Sequence, residues 1–89
     1  MELKNLFSPV SIGTLKLKNR VVMAPMDPGL TNVDGSISER LIDYYEKRAK
    51  GGVGMIITQF TAVVNDQRMD SPGVYSDRLI FGLNYLAET

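Results

Sequence analysis

Asn19-Arg20-Val21-Val22-Met23-Ala24-Pro25-Met26 decides how the rest of the chain is read. Val21 to Ala24 form a short apolar run with charge on one side and proline on the other, the pattern of a strand buried on both faces. Pro25 has no backbone N–H to give to a ladder, so the strand is expected to end there. In α/β sheets and barrels, ligands are met beyond the carboxyl ends of strands. The candidate site is therefore Ala24 to Asp27.

Outward from this strand, the chain supplies the partners of a βαβ unit. Asp27 to Ser36 is a polar loop punctuated by Pro28-Gly29 and Asp34-Gly35, longer than most strand-to-helix connections. Ser36-Ile37-Ser38-Glu39 has capping-box spacing, and a helix is expected from there to Lys50. Its buried stripe is Leu41, Ile42, Tyr45, Arg48 and Ala49, with Arg48 laying its stem along the face. Glu46 and Lys50 are placed to pair on the wet side. Gly51-Gly52 ends the helix, and Val53 to Thr58 is a second apolar strand, expected to run parallel to the first. Gly54 is expected to allow close helix packing. Ser76 or Asp77 is placed to cap a second helix carrying Leu79, Ile80, Leu83 and Leu86. Upstream, Val10-Ser11-Ile12 and Leu15-Lys16-Leu17 alternate around Gly13-Thr14, a β-hairpin with Val10, Ile12, Leu15 and Leu17 on its covered face.

Composition excludes several function classes. The 89 residues, 44% of them hydrophobic, are those of an ordinary globular chain. Ten basic and ten acidic residues cancel, so nothing provides the one-sided positive field that nucleic acid or an anionic membrane surface requires. The chain has no cysteine and no histidine, which removes disulfides, thiolate ligands and imidazole bases; no metal site is expected. Apolar runs are far shorter than the roughly 20 residues that span a bilayer, and the amino terminus lacks signal-peptide character. A soluble, cytoplasmic protein is expected.

A two-stranded parallel sheet with both strands buried needs neighbours that this chain does not supply. Either the chain is the first part of a larger α/β domain, or copies assemble to cover one another.

The succession Leu6-Phe7-x-Pro9, Leu15-Lys16-Leu17-Lys18-Asn19-Arg20, Val22-Met23-Ala24-Pro25-Met26 and Tyr45-x-x-Arg48-Ala49-x-Gly51-Gly52-Val53-Gly54 resembles the amino-terminal end of the Old Yellow Enzyme family. Within it, the chain looks most like the NADH:flavin oxidoreductase and 2,4-dienoyl-CoA reductase branch. The resemblance implies that residues 1–89 are the amino-terminal segment of an FMN-binding (β/α)8 TIM barrel: a bottom-capping hairpin, then β-α-β and the start of a second helix. It also implies an FMN-dependent enzyme that takes hydride from NAD(P)H and passes it through flavin to an activated alkene, an enoate or enoyl thioester. Some members carry a 4Fe-4S cluster and an FAD region, which would lie outside this segment.

Carried over position by position, Ala24, Pro25, Met26 and Asp27 fall where the family meets the isoalloxazine ring and ribityl chain. Phe60 falls where a small residue usually lies beside the flavin, a departure implying a one-residue shift of register or a modified pocket. Asp27 replaces the Cys, Thr or His more usual near the flavin's reactive edge. An unpaired carboxylate there would oppose the charge of reduced flavin, so a lowered potential or an outward-turned Asp27 is expected. Met26 suits a planar apolar ring. The family's phosphate loops, substrate-polarising pair and proton-donating tyrosine come from later strands, so no catalytic residue is assigned here and the segment alone is expected to be inactive. Tyr44, Tyr45, Tyr75 and Tyr85 are read as structural. The rival reading is a non-catalytic small α/β chain that self-assembles or binds a partner through its exposed strand edges.

Overall fold

The structure is a computed structural model that describes residues 3–65 and 71–89. Its elements follow in order: β1 (Val10–Ile12), β2 (Leu15–Leu17), β3 (Val22–Met23), α1 (Glu39–Lys50), β4 (Met55–Ile56), a 3-10 turn (Asp77–Leu79) and α2 (Ile80–Glu88). β1 and β2 pair antiparallel, with Val10 opposite Leu17 and Ile12 opposite Leu15. Of the four residues expected to cover the hairpin, Leu17 is buried and Val10 half-buried, whereas Ile12 and Leu15 are exposed.

β3 and β4 pair in parallel, Val22 with Met55 and Met23 with Ile56. Both strands are shorter than the apolar runs that contain them, and they are not buried on both faces: Val22 is 45% exposed and Met23 half-buried. Among the described residues, β3 and β4 pair only with each other. Beneath the sheet, Asn19 is buried, donating its Nδ2 to Gly52 O at 2.7 Å and accepting the Val21 amide on Oδ1 at 3.0 Å. Gly54 packs against Asn19 rather than against a helix.

α1 begins one turn fragment later than the capping box implies. Ser38, not Ser36, is the N-cap: its hydroxyl accepts from Leu41 N at 3.0 Å and donates to Leu30 O. Ser36 instead bonds within the preceding loop, to Asp34 Oδ1 and Asn32 Nδ2. Asp34 wins because its carboxylate accepts both the Ser36 amide and hydroxyl, and this draws Ser36 into a turn two residues short of the helix.

The stripe of α1 is narrower than its spacing suggests. Leu41, Ile42 and Tyr45 are buried, while Arg48 and Ala49 are exposed. Arg48 turns back over the Tyr44 ring, 3.9 Å from its centroid, and donates to Tyr44 O. Glu46 and Lys50 form the expected pair at 2.7 Å. Past the helix, Gly52 takes φ +110, which admits the tight turn into β4.

Ser76 precedes the second helical segment without a capping side-chain bond, and a 3-10 turn leads into α2. Leu79 is buried, Leu83 and Leu86 are half-buried and Ile80 is exposed, so the expected apolar face is only partly covered. Between α1, β4 and α2 lies an apolar cleft of about 360 Å³, lined by Ile42, Tyr45, Ile56, Leu83 and Leu86 among others. Among the described residues, no helix is long and apolar enough to cross a membrane.

Candidate functional site

Because β3 and β4 run parallel, their carboxyl ends open on the same side. Ile57 N donates to Met23 O at 3.1 Å, and beyond that bond the two chains leave the ladder together. Ala24, Pro25, Met26 and Asp27 continue from β3 and are all exposed, Met26 at 60%. Beyond β4 come Gln59, which is buried, and Phe60, which is 48% exposed.

Gln59 is the site-forming residue that sequence reasoning missed. Its amide N–H donates to the buried Tyr45 hydroxyl at 2.9 Å, which ties the end of β4 to the middle of α1. Its side-chain Nε2 lies 3.4 Å from Asp27 Oδ1, across to the other strand end. The available signal was a polar residue directly after an apolar strand, and nothing in the sequence showed which way it faced.

Asp27 is not an unpaired carboxylate. Its Oδ1 accepts the Gly29 amide at 2.8 Å in a tight turn, with Gln59 as a longer second donor. The Gly29 amide holds the carboxylate in its own turn, and Gln59 links it to the segment after β4.

Further along, Asp34 organises the loop tip. Its Oδ1 accepts the Ser36 hydroxyl at 2.6 Å and the Ser36 amide at 3.0 Å, and Arg78 Nη1 lies 3.5 Å from Oδ2. The Ser36 side-chain bond, then the Ser36 amide and then the Arg78 charge hold the Asp34 carboxyl below the ordinary value of 3.8. Among the described residues, no cluster of three or more acidic side chains is arranged to hold a metal.

Two parallel strands joined through a helix make a βαβ unit, the repeating element of α/β sheets and barrels. The model of the NADH:flavin oxidoreductase / NADH oxidase family matches residues 5–89, and the chain belongs to that family. It is 60% identical over 55 residues to an NADH oxidase of Thermoanaerobacter brockii, an alignment covering 62% of this chain and 8% of that protein. It is 52% identical over 64 residues to a cinnamate reductase of Clostridium sporogenes, covering 71% of this chain and 10% of the relative. Among solved structures, morphinone reductase in complex with tetrahydroNAD superposes with a TM-score of 0.83 at 32% identity, over 96% of this chain and 23% of that one. The old yellow enzyme of Trypanosoma cruzi gives 0.80 at 31% identity, over 94% and 23%. The chain thus has the fold of the amino-terminal part of old yellow enzyme-type TIM barrels and spans about a tenth of the length of these curated relatives.

Proposed function

We propose that residues 1–89 are the amino-terminal segment of an incomplete FMN-binding barrel, and that the whole protein is an ene-reductase-type NAD(P)H:flavin oxidoreductase. One observation supports this reading: Ala24 to Asp27 follow β3 and Phe60 follows the adjacent parallel strand β4, and Met26 and Phe60 expose apolar surface. Such surface fits a flat, largely apolar ring system. Met26 supplies an adaptable bed, Phe60 an apolar flank, and the main chain past Pro25 has left the ladder and is placed to meet polar edges. Asp27, turned towards Gly29 and Gln59, borders the site without directing a bare carboxylate at it.

Ala24 to Asp27 and Phe60 would hold FMN, which would supply hydride transfer between NAD(P)H and an activated alkene. The segment holds and orients this group, and the residues that polarise substrate and donate a proton lie elsewhere in the protein. An α,β-unsaturated acid or its thioester is the proposed substrate class, in keeping with the cinnamate reductase relative. The cytoplasm is the proposed compartment. The large exposed apolar side chains, such as Val22 and Phe81, are faces that the remainder of the barrel covers.

The test is anaerobic NADH oxidation by the full-length protein with and without an α,β-unsaturated acid. Alkene-dependent oxidation by that protein, absent from the 89-residue chain, is the expected result. A flavin-free, discrete oligomer of the 89-residue chain, with no activity from the full-length protein, would favour the non-catalytic assembly instead.

A further inference from the structure

The loop after β3 and the loop after β4 are fastened to each other by the segment that runs from Ser71 into the 3-10 turn. Gly73 is its centre. On one side Ala62 N donates to Pro72 O at 2.7 Å and Val74 N donates to Ala62 O at 2.9 Å, a parallel bridge of Ala62 with Gly73. On the other side Gly73 N donates to Gly35 O at 2.9 Å. Ser71, Pro72 and Gly73 are buried between the two loops.

The next residues close the joint. Tyr75 Oη donates to Asp34 O at 3.1 Å, and Arg78 Nη2 donates to the same carbonyl at 2.9 Å. The Asp34 side chain is engaged with Ser36, which leaves its carbonyl facing these donors. The Tyr75 ring fills space that two glycines leave open. A Cβ on Gly73 would overlap the ring edge, and one on Gly35, whose φ is +85, would come within 2.5 Å of Tyr75 Oη.

We propose that Tyr75 and Arg78 are positioning residues of the flavin site. Their grip on Asp34, with the Gly73 bridge to Ala62, sets the loop that starts at Asp27 against the segment that carries Phe60. Neither side chain is assigned to touch the cofactor. The two halves of the proposed flavin bed come from separate loops, and a bed of fixed width needs both loops held in one register. This inference rests on the functional reading above.

The test uses the full-length protein reconstituted with FMN, as wild type, Tyr75→Phe, Arg78→Lys and Gly73→Ala. Amide hydrogen exchange is followed at Gly35, Ser36 and Ala62, together with FMN affinity and the visible circular dichroism of the bound flavin. Tyr75→Phe keeps the ring and removes one hydrogen bond. It is expected to speed exchange in both loops, raise the FMN dissociation constant about three- to tenfold and alter the visible dichroism. Gly73→Ala is expected to do more, and Arg78→Lys less, because lysine retains a donor.

Faster exchange with flavin affinity and dichroism unchanged would overturn the positioning role and leave a structural one. Exchange in Tyr75→Phe as slow as in wild type would overturn the clasp itself, even if Gly73→Ala fails to fold. A wild-type protein that takes up no FMN defeats the functional reading, and the exchange data distinguish that failure from failure of the clasp.

Discussion

Gly54 lies against Asn19 so closely that a Cβ at position 54 would overlap the Asn19 carbonyl oxygen and come within 2.6 Å of its Oδ1. Asn19 cannot easily move away, because its side chain bridges Gly52 O and Val21 N at the foot of the parallel strands. Gly54→Ala is therefore expected to destabilise the fold by about 1–3 kcal/mol through forced displacement of buried backbone. Asn19→Ala should cost about 1–3 kcal/mol by stripping partners from two main-chain groups. Urea unfolding of the variants checks both, and a Gly54→Ala midpoint equal to wild type would contradict the close packing.

Ser38 and Ser36 offer a direct comparison. Ser38→Ala removes the acceptor of Leu41 N and the donor to Leu30 O, and should cost about 1–2 kcal/mol together with helical ellipticity at the start of α1. Ser36→Ala should leave α1 unchanged and loosen only the Asn32–Ser36 turn. Equal losses of helicity from the two variants would argue against Ser38 as the cap.

Tyr45→Phe tests the tie between α1 and the end of β4. The buried Tyr45 hydroxyl is the acceptor of the Gln59 amide, so deleting it should destabilise by about 1–3 kcal/mol. Amide exchange at Gln59 should quicken more than exchange within α1. A neutral effect on both would mean that the contact carries no load.

Asp34 gives a pH dependence of known sign. Its folded carboxyl is held below the ordinary value of 3.8, chiefly by Ser36 and then by Arg78. A lowered folded value means that the stabilisation is present in full above the ordinary value and is lost as pH falls through the folded one. The protection factor at Ser36, exchange corrected for its intrinsic pH dependence, should therefore be flat at neutral pH and fall in acid below that ordinary value. Asp34→Asn should abolish the acid-dependent part. An unchanged acid limb in Asp34→Asn would assign it to other carboxylates.

Much of this was legible in the sequence because it depended on local pattern. Val21 to Ala24 stopping at Pro25, the Leu41, Ile42, Tyr45 stripe and the Gly51-Gly52 stop each pointed to the element found there. The family resemblance set the order of those elements and the fold to which they belong. What the pattern missed was decided by competition between polar groups. Asp34 captured Ser36 and so moved the cap to Ser38, and Tyr45 captured the Gln59 amide and so tied the residues after β4 to α1. The clasp of Tyr75 and Arg78 on Asp34 joins positions more than forty residues apart, a distance that no periodicity spans. Burial of the two strands was overestimated because an apolar run shows what a face needs and not what covers it: Val22 is exposed and Met23 half-buried.

The most direct measurement is the visible absorption spectrum of the full-length protein after addition of FMN and desalting, as wild type and as Met26→Asp. The wild type should retain flavin with a protein-perturbed spectrum. Met26→Asp, which sets a charge against the ring, should weaken FMN binding at least about tenfold with far-ultraviolet circular dichroism unchanged. A wild-type protein that keeps no flavin, or a Met26→Asp variant that binds FMN with wild-type affinity and spectrum, would contradict the placement of the cofactor on Ala24 to Asp27 and Phe60.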